Sequence, residues 1–537
     1  MKKKLCLILG SLFALIICVA LFLGKQLKRT VAVSTISEGR IEELLEELSF
    51  SEELEFQLLF HGETVPYDAA RGIYYLPQTI KEDWLWEDAF SLSDDTLRLW
   101  WCEDDYWGNL EKAIAEGHEF FFLVSNDVEV RKEKIVFTGL PMMKVERIQA
   151  LEEERFYCKV TILDPFHNKN GRYEIKKCYG YLEVRGKTSR LFPKKGWNLS
   201  LVKENGNAYK TSLFGLREDD DWKLNALYSD ATKVRECVAI ELWNELAQQT
   251  DGPYDAGTKM EYFELFLEND YHGIYGAMEQ LDFKQFSLDK SEDVIYKGFA
   301  WPREGNTDET SLDGVGDYCG HLIKTFDRPI TAELWKPMVE YVKAANFTAE
   351  KGESFHTDVF YKYIQSNMDM DNFLNCELFV QTLYAFDNKY KNMYIVADRK
   401  DDGDYTLWKV PWDLNYSFGD RYHIESNALT LYNLDWAKEL MPEFMMSETL
   451  LASGNEEFIK LLNEKWEELK KSTLSVENIQ NIAEENIDKL TLSGAFERDA
   501  KRWKDGPHST SLEEMLEFHS CRLDFLDEHY QSFLNEN

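Results

Sequence analysis

Residues 385–396 read AFDNKYKNMYIV; an acidic turn follows, and residues 405–419 read YTLWKVPWDLNYSFG. Asp387 is followed by Lys389 and then by Asn392. A second carboxylate, Asp413, sits after the hydrophobic run TLWKVPW, with Asn415 just beyond it. Phosphoryl transfer needs a carboxylate to orient an acceptor hydroxyl, Asp and Asn oxygens to hold one or two divalent cations, and a lysine to meet phosphate charge. The segment supplies these groups in that order. Asp387 takes the catalytic role, with Lys389 on the transferred phosphoryl group. Asn392 and Asp413 take the metal. Asn415 lies on the side of Asp413 if the backbone is extended, and adds an oxygen.

A second basic element lies upstream. It runs Arg185-Gly186-Lys187-Thr188-Ser189-Arg190 and then Phe192-Pro193-Lys194-Lys195. Gly186 and the small hydroxyl residues let backbone N–H groups approach phosphate. Lys194 and Lys195 fall on opposite faces of the strand that follows, so one of the two is expected in a nucleotide cleft, beside Arg185 and Lys187. Glu236 and Glu241 are alternatives for orienting that lysine. Glu279 ends the run GIYGAME and is expected at the base end of the cleft. Neither GxGxxG nor GxxxxGK[ST] occurs, which excludes a standard glycine loop and a P-loop. No GxSxG elbow is present, and no CxxC pair speaks for structural zinc.

Composition bounds the partners. The formal charge of −36 opposes nucleic acid, so none is expected as a partner. It also repels ATP at long range, so a nucleotide site requires a local basic cluster and Mg2+ or Mn2+. The same acidity points to a basic, Ser/Thr-rich protein acceptor. With 44% hydrophobic residues and 33 Phe the chain can fill sizeable cores.

The chain is expected to divide at 1–24, 25–54, 55–150, 151–430 and 431–537. Leu5 to Gly24 is an apolar run without charge, long enough at about 30 Å to cross a bilayer core, and reads as a retained single-pass anchor with the body outside the cell. A stalk and lead-in helix follow. Residues 55–150 alternate short hydrophobic runs with turns, as a small β-rich module such as a sandwich would. From Arg155 onward come strands, then a helix over 230–249 capped by Asp230, then strands with a turn at Asn269-Asp270, then long helices from about Thr331. The fold class expected is α+β: a two-lobed, kinase-like arrangement preceded by a transmembrane helix and the β-rich module. The C-terminal helices complete the larger lobe.

Several separated segments resemble the CotH kinase family, atypical protein kinases related to spore coat proteins. They are YLEVRGKTSRLFPKKGWNLSL, DDWKLNALYSDATKVRECVAIEL, YFELFLENDYHGIYGAMEQL, DNKYKNMYIV and WKVPWDLNYSFG, spread over about residues 155 to 425. The resemblance implies ATP and Mg2+ or Mn2+ as cofactors and Ser/Thr phosphorylation of protein. It makes Asp387 the catalytic Asp, Asp413 a metal ligand and Lys194 or Lys195 the nucleotide lysine. Many members carry WDLD where this chain has Trp412-Asp413-Leu414-Asn415, which keeps an oxygen ligand and removes a charge. Two alternatives stay open: a catalytically silent module binding cell-wall or coat components, and transfer of AMP in place of phosphate.

Overall fold

The computed structural model describes residues 34–78, 89–152, 154–167, 173–248, 257–302, 307–309, 312–325, 327–346, 356–421 and 431–535. The apolar run 5–24 and the tryptophans at 84 and 86 lie outside them.

The N-terminal module is built on a seven-stranded mixed sheet. Its central strand, Glu129–Thr138, pairs antiparallel with Glu119–Ser125 and parallel with Ile73–Pro77. A three-stranded sheet packs beside it. Trp100 and Trp101 face opposite sides of their strand, as period-two alternation requires, and pack into separate apolar clusters.

Next comes a closed barrel of seven strands. They are β1 (Met142–Glu152), β2 (Arg155–Asp164), β3 (Glu174–Arg185), β4 (Gly196–Val202), β5 (Asp221–Asn225), β6 (Met260–Leu267) and β7 (Asp270–Met278). The order around the barrel is β1-β2-β3-β4-β5-β7-β6. All neighbours are antiparallel except β1 and β6, whose parallel pairing closes the ring with Met143 opposite Leu265. Alternate residues fill the interior: Val160, Leu182, Leu199, Trp222, Leu224, Phe263 and Tyr275. A two-residue turn at Glu268-Asn269 joins β6 to β7, with Glu268 left-handed at φ 57°. Cys158 and Cys178 lie on neighbouring strands as free thiols, Cys158 opposite Gly180 and Cys178 opposite Val160.

Helix α1 (Arg235–Ala247) crosses between β5 and β6. It starts later than expected, and its N-cap residue is Val234, not Asp230; Asp230 holds the first helical residue instead, Oδ2 accepting from the Arg235 N–H (2.9 Å) and Oδ1 from the Arg235 guanidinium (2.8 Å). Lys233, left-handed at φ 66°, turns the chain back to make this possible.

A second, five-stranded antiparallel sheet follows: β8 (Val294–Gly298), β9 (Asp317–Tyr318), β10 (His321–Lys324), β11 (Met393–Arg399) and β12 (Tyr405–Pro411), in the order β9-β10-β8-β11-β12. Between β10 and β11 the chain forms α2 (Ala332–Ala345), α3 (Thr357–Asn367) and α4 (Met370–Leu383). Helix α4 starts at Asp369, whose side chain accepts from the Asn372 N–H, and is buried from Asn372 to Leu383. The C-terminal helices are α5 (Glu456–Leu469), α6 (Val476–Leu492), α7 (Ala495–Arg502) and α8 (Glu513–Asn535).

The expected fold class is corrected in two respects. The β-dominated part is not a small open lobe but a closed barrel, and a separate five-stranded sheet stands beside it. No helix among the described residues is long and apolar enough to cross a membrane. Closure escaped the sequence because alternation reports which face of a strand is buried, not which distant strand lies beside it. The closing pair joins residues more than a hundred positions apart.

Helix α7 locks this assembly. Arg498 forms an ion pair with Glu264 of β6 (2.9 Å) and bonds Thr138 of the N-terminal sheet. Asp499 accepts from the Ile274 N–H (2.9 Å) and from Lys194 (2.6 Å). Gly273 admits this contact: at φ 87°, a Cβ there would sit 2.1 Å from Asp499 Oδ1.

Candidate active site

A cleft of about 470 Å³ lies between the outer face of the barrel, the start of α1 and the second sheet. Its acidic end is built by the chain from α4 to β12. Helix α4 stops at Tyr384, left-handed at φ 51°, and one 3-10 turn, Phe386–Asn388, presents Asp387 to the cleft. Asn388 is buried, and its amide donates to the carbonyls of Asn392 (3.1 Å) and Trp412 (2.8 Å). Because β11 and β12 pair with Met393 opposite Pro411, Asn392 and Trp412-Asp413 occupy adjacent strand ends. Asn392 donates its N–H to Gly298 O (3.1 Å) and accepts from the Trp412 N–H (2.9 Å). A Cβ at Gly298 would meet Tyr390 O at 2.7 Å, so only glycine fits under this loop.

Asn392 (φ 55°) and Asp413 (φ 62°) are both left-handed. Asn and Asp tolerate that region better than other side chains, but each such residue still costs on the order of 1 kcal/mol, and such strain clusters at functional sites. Here it turns three sequence-predicted groups, Asp387, Asn392 and Asp413, with Asn415, onto one cleft. Lys391 reaches back to Asp387 Oδ2 at 2.9 Å. Among the described residues nothing bonds to Oδ1 of the same carboxylate.

The basic end is supplied by two sheets. On the barrel, Leu199 and Leu224 point inward, so Asn198, Lys223 and Asn225 point outward into the cleft, where Asn198 lies opposite Lys223. Lys223 Nζ donates to Asn198 Oδ1 (2.6 Å). Arg185, at the end of β3, lines the same wall. On the second sheet, Lys297 of β8 and Lys324 of β10 flank the ring of Tyr394, their ammoniums 5.6 and 5.2 Å from its centroid. Burial, and then the neighbouring cations, push Lys223 and Lys297 down to about 8. Burial also lowers Lys324.

Glu236, in the first turn of α1, completes the lining. Its carboxylate accepts from the Asn225 amide. Burial first, and the Asp413 charge second, push Glu236 up to about 8. A divalent cation shared by these two carboxylates would relieve that repulsion, so the donor set fits a metal. Among the described residues no three His, Cys, Asp or Glu side chains converge as a cage. Asp413, Glu236, Asn392 and Asn415 would therefore hold only part of a coordination shell, leaving the rest to phosphate oxygens and water, as Mg2+ prefers.

Of the other sequence-predicted residues, Lys187 and Lys194 touch the cleft lining and Lys195, Glu279, Lys389 and Glu241 do not. Lys187 lines the cleft and donates to Phe299 O (3.2 Å) across it, beside Gly186 at φ 104°. Lys194 is spent on Asp499 and on Ile274 O (2.5 Å), so its ammonium serves the barrel–α7 junction. Lys195 Nζ donates to Arg190 O (2.5 Å), outside the lining. Glu279 is buried and accepts from the Arg217 N–H (2.8 Å), away from the cleft. Lys389 packs its ammonium over Phe386 (4.3 Å) and does not line the cleft. Glu241 bonds the Asn486 amide (2.9 Å) at the helical side.

Sequence reasoning missed Lys223, Lys297, Lys324 and Lys391. The first three share a weak signal: a single lysine next to an aliphatic residue or glycine in a short strand, in DWKLN, VIYKG and HLIK.

The family model described as CotH kinase protein matches residues 182–526, more than half of the chain. The chain belongs to the CotH kinase family. This membership makes it a kinase-like protein, and the matched region takes in every cleft residue named above. No curated protein is detectably similar to this family member.

Proposed function

We propose that this CotH kinase family member transfers the terminal phosphoryl group of ATP to Ser or Thr hydroxyls of a protein, with Mg2+ or Mn2+. One observation carries this reading: Asp387, Asn392 and Asp413 meet in the same cleft as Arg185, Lys223, Lys297 and Lys324. Carboxylates alone would suit a metal, and cations alone an anion. The two together suit a metal–phosphate complex.

Asp387 orients the acceptor hydroxyl through Oδ1 while Lys391 fixes Oδ2. The acceptor O–H proton passes to Asp387 as the acceptor oxygen bonds to phosphorus. The bond from that phosphorus to its bridging oxygen breaks, and ADP leaves. Asp413, Asn392, Asn415 and Glu236 would hold the metal, which would supply positive charge against the phosphates. The cations of the basic end stabilise charge on the phosphates in a site partly shielded from water. The acidity of the chain favours a basic acceptor, with coat or wall proteins as one class. A body working outside the cell rests on the apolar run 5–24 alone.

The test uses the full chain purified in detergent, incubated with Mg2+ or Mn2+, a basic Ser/Thr-rich protein and ATP labelled at the alpha or gamma position. Gamma label moved by the wild type but not by D387A or D413A is the expected result. Alpha label on the acceptor would reassign the chemistry to nucleotidyl transfer. Absence of both transfer and Mg-ATP binding would leave a scaffold role.

A further inference from the structure

Five lysines among the described residues are nearly out of water: Lys144, Lys194, Lys233, Lys389 and Lys409. Four are matched inside the chain. Lys144 pairs with Glu146, Lys194 with Asp499 and Lys409 with Glu377, and Lys233 donates to Pro507 O. Lys389, only 6% exposed, is different. Among the described residues it has no carboxylate within the 4.0 Å ion-pairing distance and no hydrogen bond. Its ammonium meets only rings, Phe386 at 4.3 Å and Trp301 at 5.8 Å. The stem is buried, but the ammonium is not sealed in and reaches the surface. A shortage of acid is not the cause, since the chain holds 97 Asp and Glu against 61 Lys and Arg. A desolvated cation is unfavourable unless an anion joins it.

Two further cations stand around Lys389. Arg421 lies 3.7 Å from the centroid of Phe386 and 5.5 Å from that of Trp436, again with no carboxylate in pairing range among the described residues. Lys391 shares the Trp301 ring, at 5.6 Å, and is bound to Asp387. Burial lowers Lys389, and the Arg421 charge lowers it further against the pull of Glu443. Phe386 and Asp387 are consecutive on one 3-10 turn. Asp387 and Lys391 line the donor cleft, whereas Phe386, Lys389 and Arg421 do not. Lys389 and Arg421 therefore stand on the side of Asp387 turned away from the donor, where an acceptor chain passes to bring its hydroxyl to the carboxylate.

We propose that Lys389 and Arg421, carried on Phe386, Trp301 and Trp436, form a specificity site for the acceptor and take the carboxylate of an Asp or Glu a few residues from the Ser or Thr to be phosphorylated. The inference rests on the phosphotransfer reading and deepens it. Charge acts here over two ranges. The acidity of the whole chain draws a basic protein from afar, whereas these two cations select by contact which of its hydroxyls is phosphorylated. A guanidinium over a ring face keeps its in-plane N–H groups for a carboxylate.

The test uses the full chain with Mg-ATP and paired peptides. Each peptide is basic at both ends and holds a single Ser, with one Glu or one Gln placed in turn at each neighbouring position. The best Glu peptide should exceed its Gln twin in kcat/KM by about tenfold, the scale of a hydrogen bond to a charged group. R421M should erase that ratio while leaving transfer to the Gln peptide near wild type, and R421K should keep part of it. Loss of a merely structural arginine would lower transfer to both peptides alike. K389M should lose the ratio as well; if it fails to fold, R421M carries the comparison. Equal transfer to Glu and Gln peptides at every position, or a ratio that survives R421M, would overturn the inference and leave the phosphotransfer reading standing. Fluorescence anisotropy of the same peptides separates the two. Tighter, Arg421-dependent binding of the Glu peptide without transfer of label would uphold the site and overturn the proposed function. Neither transfer nor a difference in binding would overturn both.

Discussion

Two groups of buried cations in this molecule behave in opposite ways. At the junction of the barrel with α7, Lys194 sits 2.6 Å from Asp499 and Arg498 sits 2.9 Å from Glu264, all four side chains nearly or wholly out of water. Burial alone would push the Asp499 carboxyl up, but Lys194, His508 and Lys233 outweigh it and hold it well below the usual range. In the cleft, Lys223, Lys297 and Lys324 have no such partner among the described residues and are pushed down from the ordinary lysine value. A cation whose counter-charge lies within the chain is part of the architecture. A half-buried cation beside like charges and without such a partner suits a ligand that brings the counter-charge.

This contrast can be broken most directly at the junction. D499A would strand Lys194 in the core and should destabilise the protein by about 3–5 kcal/mol, measured by urea unfolding. A loss below about 1 kcal/mol would remove the distinction. In the cleft the expectation reverses. D387A should lower phosphoryl transfer by about 10²–10⁴-fold, the usual share of a positioned acid or base, while leaving melting temperature close to wild type. A large drop in melting temperature would make Asp387 architectural, through its bond to Lys391.

Protons sharpen the comparison further. Lys223 and Lys297 have folded values of about 8 against 10.5 for the ordinary group. Between those values the unfolded chain binds more protons than the folded one, so stability rises with pH from about 8 upward. Lys233, also lowered to about 8 by burial, adds to the same slope. Mg-ATP affinity should fall over that window as the lysines lose charge. Urea unfolding and calorimetry at pH 7.5 and 9.5 should therefore give opposite slopes, and K223M with K297M should flatten both. The smallest effect expected is at Lys195, where K195M removes a bond to a loop carbonyl and should change stability by about 1 kcal/mol or less.

Residues that carry local chemistry were legible in the sequence. Asp387, Asn392, Asp413 and Asn415 sit in one continuous stretch, and the two strands between them impose their convergence through a single register. The part of Asp230 at the helix start was legible only in outline: it binds Arg235, while Val234 is the N-cap residue. The cations of the basic end were not legible. Lys194 and Lys195 form the more conspicuous basic pair, but the carboxylate that claims Lys194 arrives from α7, 305 positions away.

From its sequence alone this chain determined its acidity, the order of its strands and helices, and the acidic half of its cleft. Each of these depends on composition, on period, or on neighbours a few residues apart. Only the tertiary structure decided that seven strands close into a barrel and which lysines go unpaired. Both depend on what segments far apart in the chain bring within a few ångströms. The charge of a lysine is written in the chain, whereas its solvation and its partner are properties of the folded interior.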